Sequence, residues 1–317
     1  MKKFFGAVLL ALALPCAAQD VYPSRPIRLL VGFPASGGPD LIARVIGAQL
    51  TQSWGQPVVV ENRPGASGSI AADLLTKAAP DGYTLLLSSS GPMTLNTMIM
   101  PALRYDATRD FAPIATFGLF PLMLAVHPDL PVRSAQELIA HAKAHPGKLN
   151  NGASAVSMQL AMEMLKQVAG LDVTTIRYAG SAATVTALLR GDVQMTILEA
   201  TPLLPQVKAG KVRALASVSD RRIRALPDVP TMQESGVGGY EVTFWTGMVA
   251  PAGTSSAVVT KLSDALVRMI EVPEVRERLQ ALGAEPVAEP AERLAARIRG
   301  DIAKYAPVVK ATGLKAE

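Results

Sequence analysis

The sequence is poor in the residues that carry most covalent and metal chemistry. Its one cysteine, Cys16, excludes an internal disulfide, and three histidines (His127, His141 and His145) are too few for a zinc cluster of Cys and His. Aromatics make up 5% of the 317 residues and charged residues 18%, with a formal charge of +5. That charge is dispersed. Its densest group, Arg213 with Arg221, Arg222 and Arg224, has no interleaved aromatics, so it reads as a solvated loop or helix end and no nucleic-acid partner is expected. Past the N-terminus no run approaches the roughly 18 apolar residues of a membrane span. What the chain does have is 49% hydrophobic residues, enough for one or two ordinary cores, and Gly 25 and Pro 24 as punctuation.

The N-terminus has its own logic. Lys2 and Lys3 precede an apolar run from Phe4 to Leu14, about 11 residues against the roughly 20 needed to span a bilayer. This reads as a secretory signal peptide over residues 1–18, with Pro15 ending the run and Cys16, Ala17 and Ala18 supplying small residues for cleavage. A lipid anchor on Cys16 is the competing reading, but Ala13, Leu14 and Pro15 make a poor lipobox. Loss of Lys2 and Lys3 takes the formal charge from +5 to +3 and leaves no cysteine. An exported, mildly basic, periplasmic protein is expected, with a field that modestly favours small anions.

Beyond Tyr22, short apolar runs alternate with amphipathic segments, each bounded by Gly or Pro, which is an α/β pattern. Strands are expected at Ile27–Val31, Val58–Glu61 and Tyr83–Ser88, with helices over Asp40–Trp54 and Ser69–Lys77 between them. A second set begins near residue 123, with strands at Leu122–Val126, Val173–Tyr178, Val193–Leu198 and Arg213–Val218. Its helices are Ser134–Ala144, opened by a capping-box spacing of Ser134 to Glu137, then Ser157–Ala169 and Ala183–Arg190. After an extended run at 243–250 only helices are expected, over Ser256–Ile270, Pro273–Leu282 and Glu292–Tyr305. Helices without strands need a sheet to cover, so the chain should return to its first unit. This gives a first lobe from 19–122 and 246–317 and a second from 123–245, with the ligand cleft between them.

The best local signal is the turn Gly32, Phe33, Pro34, Ala35, Ser36, Gly37, Gly38, Pro39, Asp40, where glycines admit a ligand to the backbone and helix-start amides attract an anion. It is neither a phosphate loop nor a dinucleotide fingerprint, and a turn without a ligand is an equal reading. Asp40 fits a structural place in the first helical turn as well as a contact. Ser88, Ser89 and Ser90, then Ser154 and Ser157, then Tyr178, Ala179, Gly180, Ser181 and Ala182 also lie where strands give way to helices, where hydroxyls cap helices or hold a carboxylate. No Gly-x-Ser-x-Gly elbow exists; the nearest stretch is Gly65, Ala66, Ser67, Gly68, Ser69. His127 follows a strand, and His141 and His145 share an exposed helix end without a third metal ligand. No acid/base pair emerges, so no enzyme is expected.

Several short stretches, in order along the chain, carry a family likeness: Tyr22-Pro-Ser-Arg-Pro-Ile27, Phe33 to Asp40, Glu61-Asn-Arg-Pro-Gly-Ala66, Ala79-Pro-Asp-Gly-Tyr-Thr84, Asp110-Phe-Ala-Pro113, Pro146-Gly-Lys-Leu149, Leu226-Pro-Asp-Val-Pro230 and Ala250-Pro-Ala-Gly-Thr254. In these the chain resembles the Bug-type solute receptors, extracytoplasmic proteins associated with tripartite tricarboxylate transporters. The resemblance implies a two-lobed α/β fold of the type II-like periplasmic-binding-protein kind, closing like a Venus flytrap on a small organic carboxylate. It implies no cofactor, no metal, a monomer, and delivery to membrane transporter subunits, or else contact with a membrane sensor kinase. A secreted hydrolase using Ser89 or Ser154 is the remaining alternative.

By position, the likeness assigns Phe33 to the ligand wall, with Ala35, Ser36, Gly37, Gly38 and Asp40 in the first loop. Ser88, Ser89, Ser90, Ala153, Ser154, Ser157, Tyr178, Gly180, Ser181 and Ala182 come from the others. Leu198 stands where the family often has Asp, with Glu199 beside it, which argues against a simple amino-acid ligand; Glu199 reads either as a compensating contact or as an exposed loop residue.

Overall fold

The computed structural model describes residues 22–315; the expected signal peptide, residues 1–18, lies outside them. The first unit follows the punctuation. β1 (Ile27–Val31) is an apolar run buried on both faces, as the centre of a parallel sheet requires, and pairs in parallel with β2 (Val58–Asn62) and β3 (Thr84–Ser89). α1 (Gly38–Trp54) and α2 (Ser69–Thr76) are the crossovers. In α1 the buried stripe runs through Ile42, Ile46 and Leu50, while Leu41 is 38% exposed. The helix ends at Gly55, whose φ of +68° is left-handed and whose N–H bonds Thr51 O. A π-helical turn at Gly91–Leu95 then leads into α3 (Asn96–Ile99).

The expected strand at Leu122–Val126 is the end of a 16-residue strand, β4 (Phe111–Val126). Its first part pairs antiparallel with β9 (Thr243–Pro251), and its last part with β7 (Met195–Glu199) and β8 (Arg213–Ser217). In the second unit β5 (Asn150–Ala153) lies parallel to β6 (Thr174–Arg177) and β7. Its helices are α4 (Ala135–Ala144), α5 (Val156–Ala169), α6 (Ser181–Arg190) and α7 (Ala200–Lys208). Ser134 caps α4 by accepting from Glu137 N–H at 3.1 Å, while the Glu137 carboxylate accepts from Arg133 N–H at 2.6 Å, one residue before the cap.

The C-terminal region is not purely helical. Between α9 (Pro273–Ala281) and α10 (Ala291–Thr312), after α8 (Ser256–Ile270), the chain adds β10 (Glu285–Pro290) antiparallel to β4. β10 hides in the sequence because Pro286 and Pro290 are strand breakers, tolerated on a strand that pairs on one side. The result is a two-lobed α/β fold with strand path β2-β1-β3-β9-β4-β7-β5-β6.

Apolar packing largely follows the two units, with Leu95 and Ile99 of the first joining the cluster of the second. One cluster joins β4 from Leu122 onward to β7, β8, α4, α5 and α6; two others join β1, β3, β9, α1 and α8. α10 touches both sides: Leu294 and Ile298 pack with Leu30 and Trp245, whereas Tyr305, Val308 and Val309 pack with the Leu122 cluster.

Candidate functional site

A cavity of about 800 Å³ opens between the lobes. Every loop that follows a parallel strand contributes to it: Phe33, Gly38 and Pro39 after β1, Ser67 after β2, Ser89 to Pro92 at the end of β3, Ser154 to Ser157 after β5, Arg177 to Ala179 at β6, and Glu199 at β7. This is the carboxyl edge of both sheets, where open α/β sheets place ligands. The floor comes from the connecting strands and the last helix, through Phe120, Phe244, Trp245, Thr246 and Tyr305.

The first loop is held from behind. Ser36 takes a left-handed φ of +65°, and its N–H donates to Asp40 Oδ2 at 2.8 Å. Arg44 Nε donates to the same oxygen at 3.0 Å, and Asn62 Nδ2 to Asp40 Oδ1 at 3.0 Å and to Phe33 O at 3.1 Å. Burial works to raise the Asp40 carboxyl, but the bonds from Arg44, the Ser36 amide and Asn62 outweigh it and hold the group below the usual carboxylate range. Asp40, expected among the contacts, therefore faces inward and fixes the loop. Its contribution is present above the ordinary carboxyl value of about 3.9 and lost as pH falls through its lower folded value. We expect Asp40→Ala to lower stability by about 1–3 kcal/mol at pH 7. The difference from the parent should narrow at pH 3, read from urea midpoints at the two pH values; an equal loss at both would show the carboxylate to be irrelevant.

The loop after β2 is the most strained piece of the wall. Ala66 and Ser67 take φ of +46° and +50° between Gly65 and Gly68, a conformation costing about 1–3 kcal/mol per non-glycine residue. A buried chain of bonds anchors it: Asn96 Nδ2 donates to Ser67 O at 3.1 Å and to Ser69 Oγ at 2.8 Å, and Tyr105 OH donates to Pro92 O at 2.6 Å.

Helices begin at the cavity without side-chain caps. α1 starts from Gly37 and α5 from Ala155, and neither has a side-chain capping bond; α7, which starts from the wall residue Glu199, has none either, but there the N-cap residue is itself an acid. Gly38, Ala155 and Val156 all border the cavity, so the first-turn amides of α1 and α5 stand at its edge from opposite lobes.

Of the residues singled out in the sequence, Phe33, Gly38, Ser89, Ser90, Ser154, Ser157, Tyr178 and Glu199 border the cavity. Ala35, Ser36, Gly37, Asp40, Ala153, Gly180, Ser181 and Ala182 do not. Ser181 supports a neighbour instead, donating to Glu199 Oε2 at 3.2 Å. Ser88 is fully buried opposite Gly247 in β9, because alternate strand positions point to opposite faces and Ser89 has the cavity face. Leu198 is likewise buried, opposite Met123. Ser67, Asn96, Arg177 and the aromatic floor were not anticipated. Arg177 closes a strand and was readable as the charged residue before Tyr178, but Trp245 and Tyr305 look like core in any sequence reading.

This geometry matches known proteins over the whole described chain. Residues 42–314 match the sequence model described as Tripartite tricarboxylate transporter family receptor. Protein BugT of Bordetella pertussis is 38% identical over 307 residues, covering 96% of this chain and 94% of BugT. The chain belongs to the tripartite tricarboxylate transporter receptor family. Among solved structures, R. palustris Rpa4515 with adipate is 33% identical with a TM-score of 0.75, over 93% of this chain and 99% of that one. MatC of Rhodopseudomonas palustris with bound malate is 31% identical with a TM-score of 0.70, over 91% and 100%. A TctC solute-binding protein from Polaromonas with no ligand is 27% identical, yet its TM-score is 0.85, over 91% and 99%. The receptors of this family are solute-binding proteins of transport systems, and this chain has their fold and their interlobar cleft.

Proposed function

We propose that this chain is exported through residues 1–18, captures a small organic carboxylate between its lobes in the periplasm, and presents it to membrane subunits of a tripartite tricarboxylate-type transporter. The observation that carries the reading is the pair of uncapped helix starts, α1 and α5, at the cavity edge from opposite lobes. The helix starts at Gly38 and at Val156 with Ser157, and the positive ends of the two helix dipoles, favour an anion there, and hydroxyls of Ser89, Ser90, Ser154 and Ser157 stand beside them. Adipate and malate in the structures of relatives support the same ligand class.

The lobes we assign are 19–122 with 246–317, and 123–245, joined through β4 and β9. A hinge between the lobes at β4 and β9 would let them close around a ligand. Ligand binding then shifts the population toward closure. The site binds and does not react: His127, His141 and His145 lie away from the cavity wall, so Ser89 and Ser154 have no imidazole base there.

Melting scans with mono-, di- and tricarboxylates, amino acids, sugars and cations test this. A carboxylate at about a hundred times its dissociation constant should add about 2.7 kcal/mol. Stabilisation by sugars or cations alone would sink the proposal, as would turnover of an ester or amide abolished by Ser89→Ala or Ser154→Ala.

A further inference from the structure

We infer that the carboxylate this receptor takes has an apolar body, an aromatic ring or a medium-length alkyl chain, and is not a small hydroxylated di- or tricarboxylate. The inference rests on the carboxylate reading and concerns what lies behind the charged end. Six apolar side chains line the cavity: Leu95, Ile99, Phe120, Leu160 and Phe244, with Val156 beside the serines at the start of α5. They come from both lobes and from the connecting strands. Phe120 and Phe244 are cross-strand partners on β4 and β9, and both side chains contribute to the floor. Leu95, Ile99 and Leu160 belong to one continuous apolar cluster, and Val156 and Phe244 pack against it, so the wall continues across the gap between the lobes.

Three of these residues, Phe120, Val156 and Phe244, are only partly buried. Apolar surface left open inside a cleft, rather than scattered over the exterior, is surface that a ligand covers. The charged side chains on the wall are Arg177 and Glu199, of opposite sign. A trianion would therefore meet a wall whose side-chain charges sum to zero, and each further carboxylate would lose hydration without a further cation. An apolar body loses nothing comparable and gains about fourfold in affinity per methylene transferred from water to the wall.

Titration calorimetry of the mature protein with hexanoate, phenylacetate, succinate, malate and citrate decides the matter. Hexanoate or phenylacetate should bind at least tenfold more tightly than malate and citrate. Tighter binding of malate or citrate would overturn the inference and leave the carboxylate reading intact. Failure of every acid to bind folded protein would overturn both. Phe244→Thr changes a partly buried floor residue on β9, where a β-branched residue suits the strand, and should preserve the fold. It should weaken hexanoate about tenfold while leaving succinate within twofold. Equal weakening of both acids would show that Phe244 acts on the shape of the site and not on the ligand's body, against the inference.

Discussion

Trp245→Ala is expected to cost about 3–5 kcal/mol, the largest loss available from one side chain in this fold. Trp245 is fully buried in β9, packs with Leu294 and Ile298 of α10, and borders the cavity floor. Its Nε1–H also donates to Asp301 Oδ2 at 2.9 Å. Truncation thus removes a large apolar volume and leaves a buried carboxylate whose nearest cation, Lys304 Nζ, is 3.9 Å away. Burial raises the Asp301 carboxyl above its ordinary range, against the opposing pull of Trp245, Lys304 and Arg297. The folded protein therefore holds this proton more tightly than the unfolded chain does. Asp301 favours folding below the ordinary value of about 3.9, and that advantage is lost as pH rises through the raised folded value.

This gives the Trp245 result an internal control. Asp301→Asn keeps an acceptor for the indole N–H and removes the buried charge, so alone it should leave stability at pH 7 unchanged or higher. Combined with Trp245→Ala it should recover part of the loss, giving a coupling of about 0.5–3 kcal/mol in a double-mutant cycle. Strict additivity in denaturant midpoints would show that the carboxylate carries none of the penalty.

How much of this was legible in the sequence depends on distance along the chain. The loops after β1, β3, β5 and β6 announced themselves, because glycines and serines between an apolar run and a helical pattern have a local cause. Which residue in a loop faces the cavity was less legible. Ser88 and Ser89 differ by one strand position, and that alone sends one into the core and the other to the cavity. β4 read as five residues because Pro113, Gly118 and Pro121 interrupt it; in the fold the register shifts between Pro113 and Ala115 and between Thr116 and Gly118 absorb the first two, and Pro121 stays paired with Thr243. The floor was not legible at all. Phe120, Phe244 and Tyr305 meet only because β4, β9 and α10 bridge the lobes, and no local pattern distinguishes a bridging aromatic from a core one.

Close approach between the loops themselves falls at Gly32, where the first loop opens. A Cβ on Gly37 would come within 3.2 Å of Pro34 O, and one on Gly38 would meet nothing within 4 Å. At Gly32 a Cβ would sit 2.6 Å from Gly68 Cα and 2.8 Å from Gly68 O, both backbone atoms that cannot swing aside. Gly68, at φ +89°, has Pro92 and Phe33 on its other side, so the loops after β1, β2 and β3 are stacked through two glycines. Gly32→Val should therefore cost about 1–3 kcal/mol of stability by overpacking. Because the displaced atoms carry Phe33 and Ser67 to the cavity wall, affinity for whichever carboxylate stabilises the parent should fall roughly ten- to hundredfold, at 1.4 kcal/mol per factor of ten. Gly38→Ala serves as the contrast, with stability unchanged because its Cβ has room. Parent-like affinity in a folded Gly32→Val protein would mean that the three loops do not set the ligand wall together.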